Sequence, residues 1–304
     1  MTSSDRLPVP PLSVAGFDRA GDERAVAGLV DDLRADPRTR VLVIWGDRAP
    51  LSAPGALEWS SAADAPAAAE WALLGRSADG AALLIAVVAA DAPEPAPAPA
   101  GWAALRTVGG DLAADEASAL VTAVALGRWL IDAPFCPECG TRTDLGDAGW
   151  SRRCPHCARQ HFPRTDPAVI VAVTSAADPD LLLLGSNALW GADRYSCFAG
   201  FVEAGESLEA AVVREVGEES GVAVGDVRYR GSQAWPYPRS LMLGFHATAI
   251  DDGAAQADGE EIVAVRWFTR DEIGAALDGR SDITLPGAAS IARRLIADWW
   301  GGVA

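Results

Sequence analysis

The sequence predicts an α+β protein whose second half is a mixed α/β sandwich, and three observations predict it. From Ala168 onward, short apolar runs of strand length are interleaved with segments of helical period. Cap and turn residues punctuate them: Ser207 and Gly221 around one helix, and Thr269 with Glu272 before the next. Upstream, an alanine-rich first third offers two strand-like runs and is followed by two Cys-x2-Cys pairs.

Residues 1 to about 98 carry those runs at Val41–Trp45 and Ala82–Val88. DAPEPAPAPA, 91–100, reads as an extended Pro-Ala connector or a long loop. GWAALRTV, 101–108, is strand-like, and Asp111–Ile131 repeats leucine, valine and alanine at helical period. Ala168–Val173 and Leu181–Leu184 read as buried strands joined by an Asp-Pro-Asp turn. A helix is expected over Leu208–Ser220, then strands in RYRGSQAW (228–235) and Leu241–Ile250. The polar loop DDGAAQADG leads to a strand over Glu261–Phe268, and Ile291–Trp300 makes an amphipathic C-terminal helix. The expected division is 1–132, 133–162 and 163–304.

With 304 residues, half of them hydrophobic, the chain has ample material for two cores. No window reaches 18 uninterrupted apolar residues, and MTSSDRLPVPPLSVAG lacks the basic start and apolar run of a secretory signal, so a cytoplasmic protein is expected. The net charge is −17, and all 25 basic residues are arginine. Absence of lysine excludes lysine Schiff-base chemistry and any P-loop ending in Gly-Lys. An acidic chain gains no steering toward bulk polyanions, so a nucleotide substrate must be captured by local arginines, aromatic rings and metal.

Cys136-Pro-Glu-Cys139-Gly and Cys154-Pro-His-Cys157 stand 14 residues apart, the spacing of a zinc ribbon. Two intervening residues let both thiolates of a pair reach one tetrahedral ion, and four thiolates leave no position for water, which makes the zinc structural. The alternative is a redox dithiol, which would need a βαβ context. Arg152, Arg153 and Arg159 either offset the site's negative charge or are surface arginines. Cys197 stands alone beside a strand and reads as a core residue.

Glu215, Glu218 and Glu219 are spaced i, i+3 and i+4, so a helix puts all three on one face. Like charges that close repel unless some protonate or a cation joins them, and oxygen ligands suit Mg²⁺ or Mn²⁺. The alternative is a solvated acidic face.

The full spacing, G-x5-E-x7-R-E-V-x-E-E-x-G-V, is filled by Gly200, Glu206, Arg214, Glu215, Val216, Glu218, Glu219, Gly221 and Val222. It resembles the Nudix box of hydrolases that cleave nucleoside diphosphates linked to another group. About ten residues further on, Ser232-Gln233-Ala234-Trp235-Pro236-Tyr237-Pro238-Arg239-Ser240 is similar to the SQPWPFPxS motif of NADH pyrophosphatases, the NudC-type Nudix hydrolases. A zinc ribbon directly before the Nudix domain is also their architecture, so the resemblance runs from about residue 101 to 300. Ala234 stands for the motif's first proline and Tyr237 for its phenylalanine.

The resemblance implies a Nudix α/β/α sandwich, a zinc ribbon and a smaller N-terminal α+β domain. It further implies hydrolysis of the NADH or NAD pyrophosphate to nicotinamide mononucleotide plus AMP, removal of NAD caps from RNA, and a homodimer. The metal ligands it implies are Glu215, Glu218, Glu219, the Ala199 carbonyl and Glu261, with Glu260 as the competing choice for the last. Glu215, Glu218 and Glu219 are then the catalytic glutamates, Arg214 orients them, and Glu206 holds the loop. Gln233 through Ser240 would line the substrate site, with Trp235 as its wall. Phe162 and Phe201 match base-stacking positions or pack as ordinary core, and Arg106 and Ala292 match further substrate contacts. The competing functions are a pyrophosphatase for ADP-ribose or FAD, and a catalytically silent protein that binds NAD or RNA.

Overall fold

The structure, a computed structural model, describes residues 12, 13, 16–191 and 193–302. The chain divides into two compact units, Val14–Thr165 and Asp166–Ala304 with Met1–Ser13.

In the first unit α1 (Leu29–Ala35) precedes β1 (Arg40–Trp45), β2 (Arg48–Ala53), β3 (Ala56–Leu57), β4 (Glu70–Arg76), β5 (Ala82–Val88) and β6 (Trp102–Ala104). These strands form one sheet in the order β3-β2-β1-β5-β4, with β6 on β2. The two runs expected as strands, β1 and β5, pair in parallel at its centre, and every residue of β5 is buried. Unbroken apolar runs suit that place, because both faces of a central strand are covered. Residues 91–100 form a loop within this unit rather than a connector between the two: the Ala100 N–H bonds to the Leu51 carbonyl, and the Trp102 indole bonds to Glu94.

The strand expected across 101–108 ends at Ala104 and turns into α2 (Leu105–Val108). Leu105 and Val108 are three apart, so a helical turn puts both on one face, and Leu105 is fully buried there. The long helix α3 (Ala114–Asp132) follows. β7 (Asp144–Gly146), β8 (Ser151–Arg153) and β9 (Gln160–His161) then make a small antiparallel sheet around the cysteine pairs.

The second unit runs β10 (Asp166–Thr174), β11 (Leu181–Asn187), β12 (Phe198–Phe201), α4 (Leu208–Ser220), β13 (Val224–Trp235), β14 (Ser240–Ala249), β15 (Ile262–Thr269), α5 (Arg270–Leu277) and α6 (Ile291–Trp300). Its sheet order is β13-β14-β10-β11-β15, with β12 on β10; β10 and β14 are parallel and the other pairs antiparallel. Alternation along β10 divides the core: Val169, Val171 and Val173 pack with Val212 and Val216 of α4, and Ile170 and Ala172 pack with Ile273 of α5 and Leu295 of α6. A sheet covered by helices on both faces is the expected α/β/α sandwich. The cap residues act as the sequence predicts. Ser207 Oγ accepts the Ala210 N–H at 3.2 Å, Gly221 takes φ 69°, and Thr269 and Glu272 close a capping box.

Candidate active site

The site is built where β12 runs beside α4. A Cβ on Gly200 would lie 2.0 Å from the Glu215 carboxyl carbon and 2.1 and 2.2 Å from its oxygens, so glycine is what lets this carboxylate lie against the strand. One residue earlier, the Ala199 N–H donates to Glu219 Oε2 at 3.3 Å. Glu219 is 6% exposed and Glu215 is largely buried, whereas Glu218 projects toward solvent.

Arg214 holds the motif together. Its Nε and Nη2 donate to the two oxygens of Glu206 at 2.9 and 2.8 Å, and Nη2 also reaches the Phe201 carbonyl at 2.9 Å. Nη1 donates to Glu215 Oε1 at 2.8 Å and to Glu218 Oε2 at 3.0 Å. Glu206 in turn accepts the Glu203 N–H at 3.0 Å, which fixes the loop between β12 and α4. The Arg214 hydrogen bonds, with that N–H, hold the Glu206 carboxyl down at about 2.

Glu219 has no such partner: among the described residues no arginine pairs with it. Burial, then the charges of Glu261 and Glu215, push its carboxyl up to about 8. Burial also raises Glu215, against the pull of Arg214. A buried carboxylate facing two others demands a proton or a cation. The donors are all oxygen, which fits a hard divalent ion. Among the described residues, the four cysteine sulfurs are the group whose donor atoms lie within 4.8 Å of one another; the carboxylates stand further apart, with Glu215 and Glu218 drawn to Arg214.

Glu261 immediately precedes β15, and it, rather than Glu260, is the residue whose charge acts on Glu219 and Glu215. Its carbonyl accepts the Ala188 N–H at 2.8 Å, and its Oε1 accepts from Asn187 Nδ2 at 3.3 Å. Asp258 Oδ1 accepts the N–H groups of Glu260, Glu261 and Ile262 at 2.5, 2.9 and 3.1 Å, which sets the turn. Sequence reasoning missed Asn187 and Asp258. The Asp-Gly pair at 258 and 259 was a turn signal; Asn187 gave none, because it meets Glu261 only through β11–β15 pairing.

The aromatic-proline motif forms the end of the β13–β14 hairpin, where Trp235 pairs with Ser240 across the turn Pro236–Arg239. The Trp235 and Tyr237 rings lie 5.2 Å apart at 56°, one aromatic patch. Arg239 is held by Asp166, through Nε at 3.1 Å and Nη2 at 2.9 Å. Gln233 is buried, its Nε2 donating to the Ala289 carbonyl at 2.7 Å and its Oε1 accepting the Ile291 N–H at 2.9 Å, so its amide ties down the start of α6. Ala234 and Pro236 lie partly and fully buried, and Pro238 is exposed. Ala292 is buried in the core beside Cys197. Phe201 is exposed on β12; Phe162 and Arg106 are exposed residues of the first unit.

In the ribbon, Cys136 and Cys157 sulfurs lie 3.6 Å apart, Cys139 and Cys154 3.5 Å, and Cys139 and Cys157 3.8 Å. Tetrahedral zinc with Zn–S near 2.3 Å separates sulfurs by about 3.8 Å, and a disulfide by about 2.05 Å. The spacing fits one Zn(Cys)4 centre, and all four cysteines are unpaired. Matching turns hold them: the Gly140 N–H bonds to the Cys136 carbonyl and the Ala158 N–H to the Cys154 carbonyl. Cys197 is buried in the core as expected, and burial pushes its thiol up to about 12.

The sandwich and its glutamate helix define a Nudix domain, and the NUDIX domain family model matches residues 164–285. The NADH pyrophosphatase zinc ribbon domain model matches 132–162. A protein of Mycobacterium tuberculosis (strain ATCC 25618 / H37Rv) described as NAD-capped RNA hydrolase NudC is 44% identical over 307 residues, covering 96% of this chain and 95% of that one. A protein of the same description from Pseudomonas aeruginosa (strain LESB58) is 42% identical over 197 residues, 64% of this chain and 66% of its own. Among solved structures, a NUDIX hydrolase from Nitrosomonas europaea is 23% identical, covers 46% of this chain and 90% of its own, and gives a TM-score of 0.35. The chain belongs to the NudC-type NADH pyrophosphatase family of Nudix hydrolases.

Proposed function

We propose that this protein hydrolyses the pyrophosphate of NADH and NAD to nicotinamide mononucleotide plus AMP, and removes NAD caps from RNA. The observation that carries the reading is Glu219, a buried carboxylate that no arginine pairs with among the described residues and on which the charges of Glu215 and Glu261 act, in a unit whose β13–β14 hairpin carries two aromatic rings. The relatives described as NAD-capped RNA hydrolases support the choice of substrate. Mg²⁺ or Mn²⁺ is the proposed catalytic ion, held by Glu215, Glu218, Glu219, Glu261 and the carbonyl of Ala199. A strand residue's N–H and C=O point to the same side, so the Ala199 N–H bond to Glu219 supports that last ligand. When bound, such an ion neutralises phosphate charge and activates a water.

Arg214 keeps Glu215 and Glu218 aligned along the helix, and Glu206 keeps the preceding loop in place. Trp235 and Tyr237 supply faces on which a base stacks, worth roughly 1–3 kcal/mol per base. Gln233 fixes the hairpin against α6, while Ala234, Pro236, Pro238, Arg239 and Ser240 shape it. Phe162, Phe201 and Arg106 are the further proposed substrate contacts, whereas Ala292, 2% exposed in the core, has no side-chain surface to offer a substrate. We take the division 1–132, 133–162 and 163–304 as the functional one, with zinc serving the ribbon's structure. The proposed setting is a cytoplasmic homodimer. Among the described residues no helix is long and apolar enough to cross a membrane.

The deciding experiment is a side-by-side hydrolysis series on NADH, NAD, ADP-ribose, FAD and NAD-capped RNA with Mg²⁺ or Mn²⁺ and product identification. NADH and NAD-capped RNA should give a 5′-monophosphate product from cleavage between the phosphorus atoms. Faster turnover of ADP-ribose than of NADH overturns the substrate assignment, and no turnover of any of them overturns the activity.

A further inference from the structure

The loop that follows β11 is tied to the glutamate cluster by its first residues. Asn187, the last residue of β11, donates from Nδ2 to Glu261 Oε1 at 3.3 Å and accepts the Leu189 N–H on Oδ1 at 2.9 Å. The Ala188 N–H donates to the Glu261 carbonyl at 2.8 Å and the Trp190 N–H to the Asn187 carbonyl at 2.9 Å. On its return the chain is fixed again: the Tyr195 N–H donates to the Thr284 carbonyl and the Thr284 N–H to that of Asp193. Between these ties Leu189 is 92% exposed, and neither it nor Trp190 packs in the core under α4 or the core under α5 and α6. One exposed leucine is ordinary, but here an indole follows it on a loop hung from a proposed metal ligand.

Strand direction brings this loop and the aromatic hairpin to one end of the sheet. β10 and β14 start there, with Asp166 opposite Ser240, and β13 finishes there, with Trp235 opposite Ser240. β11 runs antiparallel to both β10 and β15, so it finishes at the same end, where Asn187 stands opposite Ile262. β14 takes one edge of β10 and β12 the other, with Gly200 opposite Val169. The hairpin and the loop therefore lie on opposite sides of β10. In the sheet order three strand spacings, roughly 14 Å, separate β13 from β11, which is too far for one base to stack on both. A dinucleotide, with a base on each side of its pyrophosphate, can reach both.

We propose that Leu189 and Trp190 form the wall on which the adenine half of the dinucleotide stacks, leaving the nicotinamide half to Trp235 and Tyr237. The proposal deepens the dinucleotide reading and rests on it. Charge decides which half goes where. The Arg194 guanidinium lies 4.9 Å over the Trp190 ring, and among the described residues no carboxylate pairs with it. Adenine is neutral near pH 7 and stacks on an indole beside that charge. The oxidised nicotinamide ring is itself a cation, which Arg194 repels and which the Trp235 and Tyr237 faces, 5.2 Å apart, attract.

The test is calorimetric titration of the full chain, zinc retained and Mn²⁺ saturating, with AMP and with oxidised nicotinamide mononucleotide as probes. Trp190→Ala should weaken AMP about tenfold or more and leave nicotinamide mononucleotide within about twofold, and Trp190→Phe should restore most of the AMP affinity. Trp235→Ala should show the opposite preference. Thermal unfolding confirms that each variant is folded. Unchanged AMP affinity in Trp190→Ala, an equal loss of both mononucleotides, or failure of the parent to bind AMP overturns the proposal. A Trp190→Ala protein that changes its sedimentation but not its AMP affinity assigns the loop to contact between copies and overturns it as well. NADH hydrolysis by the parent is measured beside the titrations: no turnover defeats the pyrophosphatase reading, whereas the stacking wall stands or falls on AMP binding.

Discussion

Replacing Gly200 by alanine tests the central steric claim about the glutamate cluster. The backbone there lies outside the left-handed region, so alanine imposes no conformational strain. What it meets is a side chain: its Cβ would sit 2.0 Å from the carboxyl carbon of Glu215. Ordinary carbon contact begins near 3.4 Å, so the carboxylate must withdraw by about 1.4 Å. Metal–ligand distances tolerate only about 0.2 Å, so Glu215 would leave the proposed ligand set and its 2.8 Å bond to Arg214 would go with it. Displacing the supports of a metal ligand costs about 10–100-fold, and displacing the ligand itself should cost the upper end of that range or more. The assay is the initial rate of NADH hydrolysis across a Mn²⁺ titration, with thermal unfolding to confirm the fold. In a Glu215→Ala background the same substitution should change the rate by less than about twofold, since no carboxylate remains to displace. A Gly200→Ala rate within about threefold of the parent at every Mn²⁺ concentration, or an equal loss in both backgrounds, refutes the reasoning.

Three further outcomes follow from the same geometry. Glu219 titrates near 4.5 in the unfolded chain and at about 8 in the folded one, so between those values the folded protein holds a proton the unfolded chain has released, and stability falls as pH rises. Thermal unfolding in chelator for divalent ions other than the ribbon's zinc should therefore show Tm decreasing from pH 5 to 8, less steeply in Glu219→Gln; equal slopes in the two proteins would count against the assignment. Asn187→Ala removes the donor to Glu261 Oε1 and the acceptor of the Leu189 N–H, and should raise the Mn²⁺ concentration for half-maximal rate about tenfold while leaving the saturated rate near the parent value; a loss only at saturation argues for a different role. Cys139→Ser should reduce zinc, by elemental analysis, from one per chain to near zero and lower Tm by at least about 5 °C; a zinc-free variant with unchanged Tm would refute a structural role for the ribbon ion.

The elements that sequence placed well are those whose signals are local. Ser207, Gly221, Thr269 and Glu272 act within one turn of chain; the helix between Ser207 and Gly221 has the expected limits, and the next begins at the expected capping box. β5 and β10 are legible because a strand covered on both faces has to be apolar throughout its middle. The segment 101–108 misled because WAAL suits an edge strand and a helical turn equally, and only the burial of Leu105 decides where one stops. Cysteine spacing carries the ribbon for a similar reason, since two residues between thiolates already fix their reach.

Long-range contacts explain what remained hidden, and they give the site its chemistry. The motif names Gly200 and Glu215 as separate positions, but the structure makes them one fact, because the absent Cβ is the space the carboxylate occupies. Arg214 likewise is more than a charge beside glutamates: by taking up Glu206, Glu215 and Glu218 it leaves Glu219 as the buried carboxylate without an arginine. That division of partners sets Glu219 up to titrate at about 8, and the charge of Glu261 raises it further than burial alone. A helix bearing the same glutamates on one face but lacking Arg214 would share the repulsion among all of them. Here it is concentrated at the one side chain that lies against the Ala199 peptide, where a divalent ion would relieve most of it.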